Sequence, residues 1–249
     1  MSERVGVYFV SDVHLGIEVC DAAGRERRFV GFLRSIPGDT ARALYLLGDI
    51  WDFWYEYRDV VPKGSVRVFS ALMDLIDAGV EVYFLPGNHD IWCYGYFESM
   101  GIKVVRQPLV VEMEGKVFCL GHGDGLGPGL GKYRFMNGVF KSRVAQALFS
   151  ALHPWIAFRL GKGWSRRNRL SHKDEYVWKG SDEPLYKWAS EFSSGVHVDY
   201  FIFGHFHAQV DQMLPSGARF LMLKDWFKSS QYLYFDGISV GVGHSMKTE

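Results

Sequence analysis

Short apolar, β-prone runs recur along the chain: Val7 to Val10, Ala43 to Leu47, Val82 to Leu85, Val117 to Leu120 and Tyr200 to Phe203. In the first half they alternate with helical periodicity. A strand at Val5 to Ser11 precedes a helical pattern from about Asp21 to Leu33, with Phe29, Phe32 and Leu33 on one side. The strand Ala43 to Leu47 precedes a second helix over Pro62 to Ala78, with Pro62 suited to a first turn and Gly79 to a C-terminal stop. Val82 to Leu85 follows, then a short helix near Tyr94 to Met100 closed by Gly101. This βαβαβ rhythm predicts a largely parallel sheet with right-handed crossovers.

The pattern then changes. Leu109 to Met113 and Lys116 to Leu120 flank Glu114-Gly115 and predict a hairpin. Tyr200 to Phe203, Val210 to Leu214, Arg219 to Leu223 and Gln231 to Phe235 are strand-like, with Pro215-Ser216-Gly217 and Asp236-Gly237 as turns. The expected fold class is α/β in the mixed α+β sense: a pair of mixed sheets with helices outside. Between Gly125 and Asp199 the strand rhythm stops. Phe135, Met136, Val139, Phe140, Val144, Leu148, Phe149, Leu152 and Trp155 recur at helical spacing, which predicts an inserted helical hairpin with a small core of its own. The expected division is a core of residues 1–125 and 197–249 and a helical cap or lid of residues 126–196.

Composition changes this picture little: 249 residues, 48% hydrophobic and 22% charged, describe an ordinary globular chain. Cys20, Cys93 and Cys119 are widely spaced and odd in number, so neither a disulfide framework nor a zinc ribbon is indicated, and a reducing, cytoplasmic setting is expected. Val5 to Val10 is too short for a secretory signal, and Val144 to Leu160 is too interrupted for a membrane span. Charge is more informative. The net is zero, yet Leu126 to Gly180 holds eleven Lys/Arg against two acids, a local +9 balanced by −9 elsewhere. One lobe is thus expected to face an anionic substrate or surface. Its basic residues are interleaved with aliphatic as well as aromatic side chains, so a nucleic-acid partner is not expected.

Each of the five runs ends in a polar motif: Asp12-Val13-His14, Gly48-Asp49-Ile50-Trp51-Asp52, Gly87-Asn88-His89-Asp90, Gly121-His122-Gly123-Asp124 and Gly204-His205-Phe206-His207. Oxygen and imidazole ligands at the ends of adjacent strands are how a sheet assembles a metal site from residues far apart in sequence. Asp52, Asp90 and Asp124 are candidates for orienting ligands. His153, His172, His197 and His244 sit outside the motifs and are expected to be hydrogen-bonded core groups.

The motif set, in this order, resembles the calcineurin-like metallophosphoesterases. The resemblance implies a two-sheet sandwich flanked by helices, with two metal ions at the strand ends. One would be held by Asp12, His14, Asp49 and His207, the other by Asp49, Asn88, His122 and His205. A bridging carboxylate suits two ions roughly 3.5–4 Å apart. The imidazole and carboxylate set suits Mn²⁺ foremost, with Fe or Zn²⁺ as alternatives. A hydroxide between them would attack phosphorus, with His89 protonating the leaving oxygen or stabilising charge on the phosphoryl group.

Within that family the pattern most resembles the hydrolases of lipid A synthesis that act on UDP-2,3-diacylglucosamine. That resemblance rests on Ser11-Asp12-Val13-His14-Leu15-Gly16, Gly48-Asp49-Ile50-Trp51-Asp52-Phe53-Trp54, Gly121-His122-Gly123-Asp124 and the cap inserted directly afterwards. It implies a lipid-linked nucleotide substrate cleaved to UMP and 2,3-diacylglucosamine 1-phosphate. It also implies a monomer peripheral to the cytoplasmic face of a Gram-negative inner membrane, with its anionic lipid surface. Substrate contacts would be Asn88, His89, Tyr133, Ser165, Arg166, Asn168, Arg169 and His172. At two positions the chain departs from that group's pattern: His89, where Arg is common, and Leu130, where an acidic residue is common. The alternatives are a phosphoesterase acting on nucleotides or other phosphodiesters and a non-catalytic metal-binding scaffold.

Overall fold

The computed structural model of the chain describes residues 4–171 and 176–245; the side chains at 132, 134 and 168–171 are not among those described. Two sheets lie face to face. The first contains β1 (Gly6–Val10), β2 (Ala41–Leu46), β3 (Glu81–Phe84), β4 (Lys103–Val104), β10 (Gln231–Phe235) and β11 (Val240–His244), in the order β11-β10-β1-β2-β3-β4. β1 to β4 are parallel, and β10 joins β1 antiparallel. The second contains β5 (Leu109–Met113), β6 (Lys116–Leu120), β7 (Tyr200–Phe203), β8 (Val210–Met213) and β9 (Arg219–Met222), in the order β5-β6-β7-β9-β8. Its middle strands β6, β7 and β9 are parallel and its edges antiparallel.

Alternation along the strands explains the layering, because successive side chains point to opposite faces. Val7, Phe9, Ala43, Tyr45 and Leu47 face Phe118, Leu120, Ile202 and Leu221 across the sandwich. Val10, Leu44 and Leu46 point the other way, onto α1 (Ala22–Ser35) and α2 (Val66–Asp77) through Phe29, Phe32, Leu33, Val68 and Leu72. Phe201, Phe203 and Phe220 of the second sheet cover Leu185 and Ala189 of α7 (Pro184–Gly195). The central strands β1, β2, β6 and β7 are therefore largely buried on both faces, which is why they read as near-continuous apolar runs.

The helix ends follow local chemistry. Asp21 caps α1, its carboxylate accepting the Gly24 N–H at 3.0 Å. Gly79, at φ 88°, ends α2, with its N–H on Ile76 O and that of Val80 on Leu75 O. The start of α2 differs from expectation: it begins at Val66, not Pro62, because Gly64 and Ser65 take φ of 107° and 55°, outside the right-handed helical region. The Ser65 hydroxyl accepts the Trp51 indole N–H at 3.2 Å. β4 and β11 are additional strands. The expected helical hairpin is three helices, α4 (Gly131–Lys141), α5 (Arg143–Ser150) and α6 (Pro154–Ser171), with α3 (Tyr96–Ser99) earlier in the chain. Phe140, Phe149 and Phe158 of these three pack on Phe53, Tyr55 and Trp92 of the core. α7, inside the stretch expected as cap, packs on the second sheet.

Phe118 is fully buried between the sheets, with its ring 5.9 Å from Phe9, 4.9 Å from Tyr200 and 5.0 Å from Phe235. Phe118→Ala should cost about 3–5 kcal/mol, read as a lower urea midpoint for unfolding at an unchanged slope.

Candidate metal centre

The parallel strands of both sheets deliver polar side chains from their C-terminal ends: Asp12 and His14 after β1, Asp49 after β2, Asn88 and His89 after β3, His122 after β6, His205 and His207 after β7. The β1–β2 ladder continues past the strands, with Asp12 N–H on Gly48 O at 3.1 Å and His14 N–H on Asp49 O at 2.9 Å. Five of these residues, Asp12, His14, Asp49, His205 and His207, have φ between 50° and 71°. Such left-handed backbone costs a non-glycine residue about 1–3 kcal/mol and persists only where its surroundings enforce it. Here the turns that aim the side chains require it.

Three groups of potential ligand atoms each lie within 4.8 Å of one another: Asp12, His14 and His207; His14, Asp49 and His89; and Asp49, His122 and His205. His14 Nε2 is 3.7 Å from Asp12 Oδ1, 3.9 Å from Asp49 Oδ2 and 3.2 Å from His207 Nε2. On the other side His122 Nε2 is 3.3 Å from Asp49 Oδ2. Asp49 belongs to both sides.

The imidazoles are held from behind. His122 Nδ1 meets Leu47 O at 2.9 Å, His14 Nδ1 lies 3.3 Å from Asp52 Oδ1, and His207 Nδ1 lies 3.5 Å from Asp225 Oδ2. A hydrogen bond at one ring nitrogen fixes the tautomer and presents the other as a ligand. Asp12 Oδ1, Asn88 Oδ1 and His122 Nε2 are buried with no hydrogen-bond partner, as expected of atoms reserved for a cation. The donor set and its orphaned atoms fit a divalent ion.

Charge is balanced within the cluster. Burial works to raise the Asp12 carboxyl, but His207 and His14 hold it well below the usual carboxylate range. Burial opposes ionisation of Asp49 too, and His122 foremost, with His89, drives it far down. His122 is in turn raised well above its ordinary value, because Asp49 outweighs the burial that would lower it. His205 is pushed down to about 4, by burial first and then by His122. Burial and the Asp49 carboxylate push Asp90 up to about 7, against the pull of the Gly87 and Trp51 N–H groups.

The structure also places the remaining candidates. Asp52 backs His14, as above, and its backbone O meets His89 Nδ1 at 2.7 Å. Asp90 accepts backbone N–H groups, and Asp124 accepts the Tyr133 hydroxyl at 2.8 Å and the Gln107 amide at 2.6 Å. Ser165 is buried and donates to Asp52 Oδ2 at 2.6 Å, whereas Arg166 is exposed. Asn168 and Arg169 lie on α6 with their side chains outside those described, and His172 lies outside the described residues. His153, His197 and His244, expected as core groups, are exposed; His197 pairs with Asp199 at 3.4 Å.

Three supporting residues are new. Besides Asp225 there is Arg25, fully buried, whose guanidinium donates to His14 O at 3.0 Å, Ile17 O at 2.9 Å and Val19 O at 3.0 Å. Phe227 stacks on the His14 ring at 5.5 Å and receives Arg25 on its face at 4.5 Å. Asp225 had a usable signal, lying just beyond an apolar run as the motifs do. An arginine within an amphipathic helix gives none.

The family model for calcineurin-like phosphoesterases matches residues 6–209. The chain is a calcineurin-like phosphoesterase. This phosphoesterase is 35% identical over 254 residues to a UDP-2,3-diacylglucosamine hydrolase of Porphyromonas gingivalis, covering 95% of this chain and 96% of the relative. It is 29% identical to a protein of the same name from Stenotrophomonas maltophilia, over 92% and 94% of the two chains. The fold is also that of the protein TT1561 of Thermus thermophilus, with a TM-score of 0.50 at 13% identity, covering 97% and 99%. As a member of this family the protein is a metal-dependent phosphoester hydrolase.

Because the Asp49 carboxylate favours a proton on His122, a metal ion entering there competes with that proton. Loading should release protons, and affinity should fall as pH is lowered. Calorimetric Mn²⁺ titrations in buffers of different ionisation heat check both signs.

Proposed function

We propose that the protein hydrolyses the diphosphate of UDP-2,3-diacylglucosamine, by attack at the phosphorus next to uridine, giving UMP and 2,3-diacylglucosamine 1-phosphate. One observation carries the reading: a centre sharing one carboxylate between two ligand groups lies against a cap that exposes large apolar side chains among basic ones. The name of the Porphyromonas gingivalis relative supports the same substrate.

In this reading Asp12, His14, Asp49 and His207 hold one divalent ion, and Asp49, Asn88, His122 and His205 a second, with Mn²⁺ preferred to Fe or Zn²⁺. Bound ions would neutralise phosphate charge and lower the pKa of water from 15.7 toward about 7. The chain's own part is positioning. Asp52 and Asp225 aim His14 and His207. His89, with Nδ1 engaged by Asp52 O, turns Nε2 toward the centre, 3.9 Å from Asp49 Oδ2, where it protonates the leaving oxygen or steadies phosphoryl charge. Asn88, His89, Tyr133, Arg166, Asn168, Arg169 and His172 would contact the substrate, and the helices α4 to α6 within residues 126–196 act as the cap.

Phe135 is 77% exposed, Leu148 70% and Trp155 63%, and the nearby Arg143, Arg159 and Lys162 are exposed as well. No described helix is long and apolar enough to cross a membrane. We propose that this face rests on the anionic cytoplasmic surface of the inner membrane, apolar side chains in the interface and cations on the headgroups, and that a monomer works there.

With Mn²⁺, the protein should release UMP from UDP-2,3-diacylglucosamine. Asp49→Ala or His205→Ala should cut the rate by more than the roughly 10–100-fold that loss of an outer partner costs. Cleavage of bis(p-nitrophenyl) phosphate with the diacyl substrate left intact would reject the substrate assignment. The triple variant Phe135→Ser, Leu148→Ser, Trp155→Ser should lose about tenfold or more in sedimentation with anionic vesicles while keeping its thermal midpoint.

A further inference from the structure

Among its described side chains, α6 reaches the metal centre through Ser165. Its inward positions come one per turn: Ala157, Gly161 and Ser165, with Ala157 fully buried and Ser165 5% exposed. The small residues permit a close approach, since a Cβ at Gly161 would run into the Phe53 ring. Phe158 flanks the contact, its ring 6.3 Å from Phe53 and 5.8 Å from Tyr57. At the end of this stripe the Ser165 hydroxyl donates to Asp52 Oδ2 at 2.6 Å, in the dry interior.

Asp52 faces the other way with its second oxygen, 3.3 Å from His14 Nδ1. Its backbone is fixed as well, the N–H on Leu15 O at 3.0 Å and the O against His89 Nδ1 at 2.7 Å. The side-chain torsions are left to set, and Ser165 supplies a hydrogen bond that orients the carboxylate. The sequence resemblance placed Ser165 on the substrate; the geometry gives its hydroxyl to the group that aims a metal ligand.

We infer that Ser165 is a positioning residue that couples seating of the cap helix α6 to divalent-metal binding at His14. The inference rests on the metal-centre reading above. Removing the hydroxyl takes this donor from a buried carboxylate oxygen and lets the carboxylate turn away from His14. Coupling of this kind is reciprocal: by whatever factor seated α6 strengthens metal binding, the metal strengthens the seating of α6. Lifting the cap would then loosen the metal, and loading the metal would close the cap.

The test compares Mn²⁺ binding by calorimetry for the full chain and its Ser165→Ala, Ser165→Thr, Gly161→Ala and His14→Ala variants, with amide exchange of α6 measured in metal-free and Mn²⁺-loaded states. Ser165→Ala should bind Mn²⁺ about tenfold more weakly, and Ser165→Thr should restore most of the loss. Gly161→Ala keeps the hydroxyl but lifts it from Asp52, so it should weaken binding as Ser165→Ala does. Mn²⁺ should slow exchange along α6 in the parent chain and not in Ser165→Ala. If Ser165→Ala binds as the parent does while His14→Ala does not, the coupling is wrong and the metal centre stands. If Ser165→Ala and Ser165→Thr are equally weakened, the hydroxyl is not the agent and the inference falls. If His14→Ala binds Mn²⁺ unchanged, the metal-centre reading itself is what fails.

Discussion

The Asp90 carboxylate accepts backbone N–H groups from Gly87 at 2.8 Å, Asp49 at 3.2 Å, Ile50 at 2.7 Å and Trp51 at 3.1 Å. Those donors belong to two turns, one after β2 and one after β3, so a single buried side chain joins them. The lacing is mutual: Asp49 Oδ1 accepts the His89 N–H from the opposite turn at 2.9 Å. Asp49, Asn88 and His89 thereby take their places relative to one another before any ligand is considered. Two carboxyl groups this close and this dry would repel each other. Backbone dipoles facing one and imidazoles facing the other offset that cost.

A second constraint acts on the backbone. Asp12, His14, Asp49, His205 and His207 all sit in left-handed turns, a region where Asp and His are better tolerated than most residues. The strain is absorbed by the sandwich and its covering helices, whose packing leaves the strand ends no freedom to relax. Chelating groups held this way lose little conformational entropy on meeting an ion. Rigid sheets therefore present the ligands, and the less buried helices α4 and α5 carry the outward apolar surface.

Much of this was legible in the chain. Apolar runs bounded by glycine gave away β1, β2, β6 and β7, because strands buried on both faces leave an unmistakable apolar stretch. The ligand motifs were legible for the same reason, standing where those stretches stop. β4 is two residues long, and β11, Val240 to His244, alternates with glycine, so neither carries a hydrophobic signal of its own. Pro62 failed as a helix start because Gly64 and Ser65 adopt left-handed backbone just after it. Arg25 and Ser165 were illegible as parts of the centre, since what matters about each is a partner set by tertiary packing: the His14 carbonyl for one, the Asp52 carboxylate for the other.

The glycines beside the ligands have a consequence for comparing related chains. A Cβ at Gly87 would collide with Asp49 Oδ1, and one at Gly204 with Ser11 Oγ and Asp12 Oδ2. The ligand carboxylates occupy the volume that any other residue at 87 or 204 would fill. A relative could keep every aspartate, asparagine and histidine of the five motifs, carry alanine at either position, and still have no room for a metal-binding carboxylate. Inheritance of the ligands is then a weaker sign of a working enzyme than inheritance of the empty space next to them.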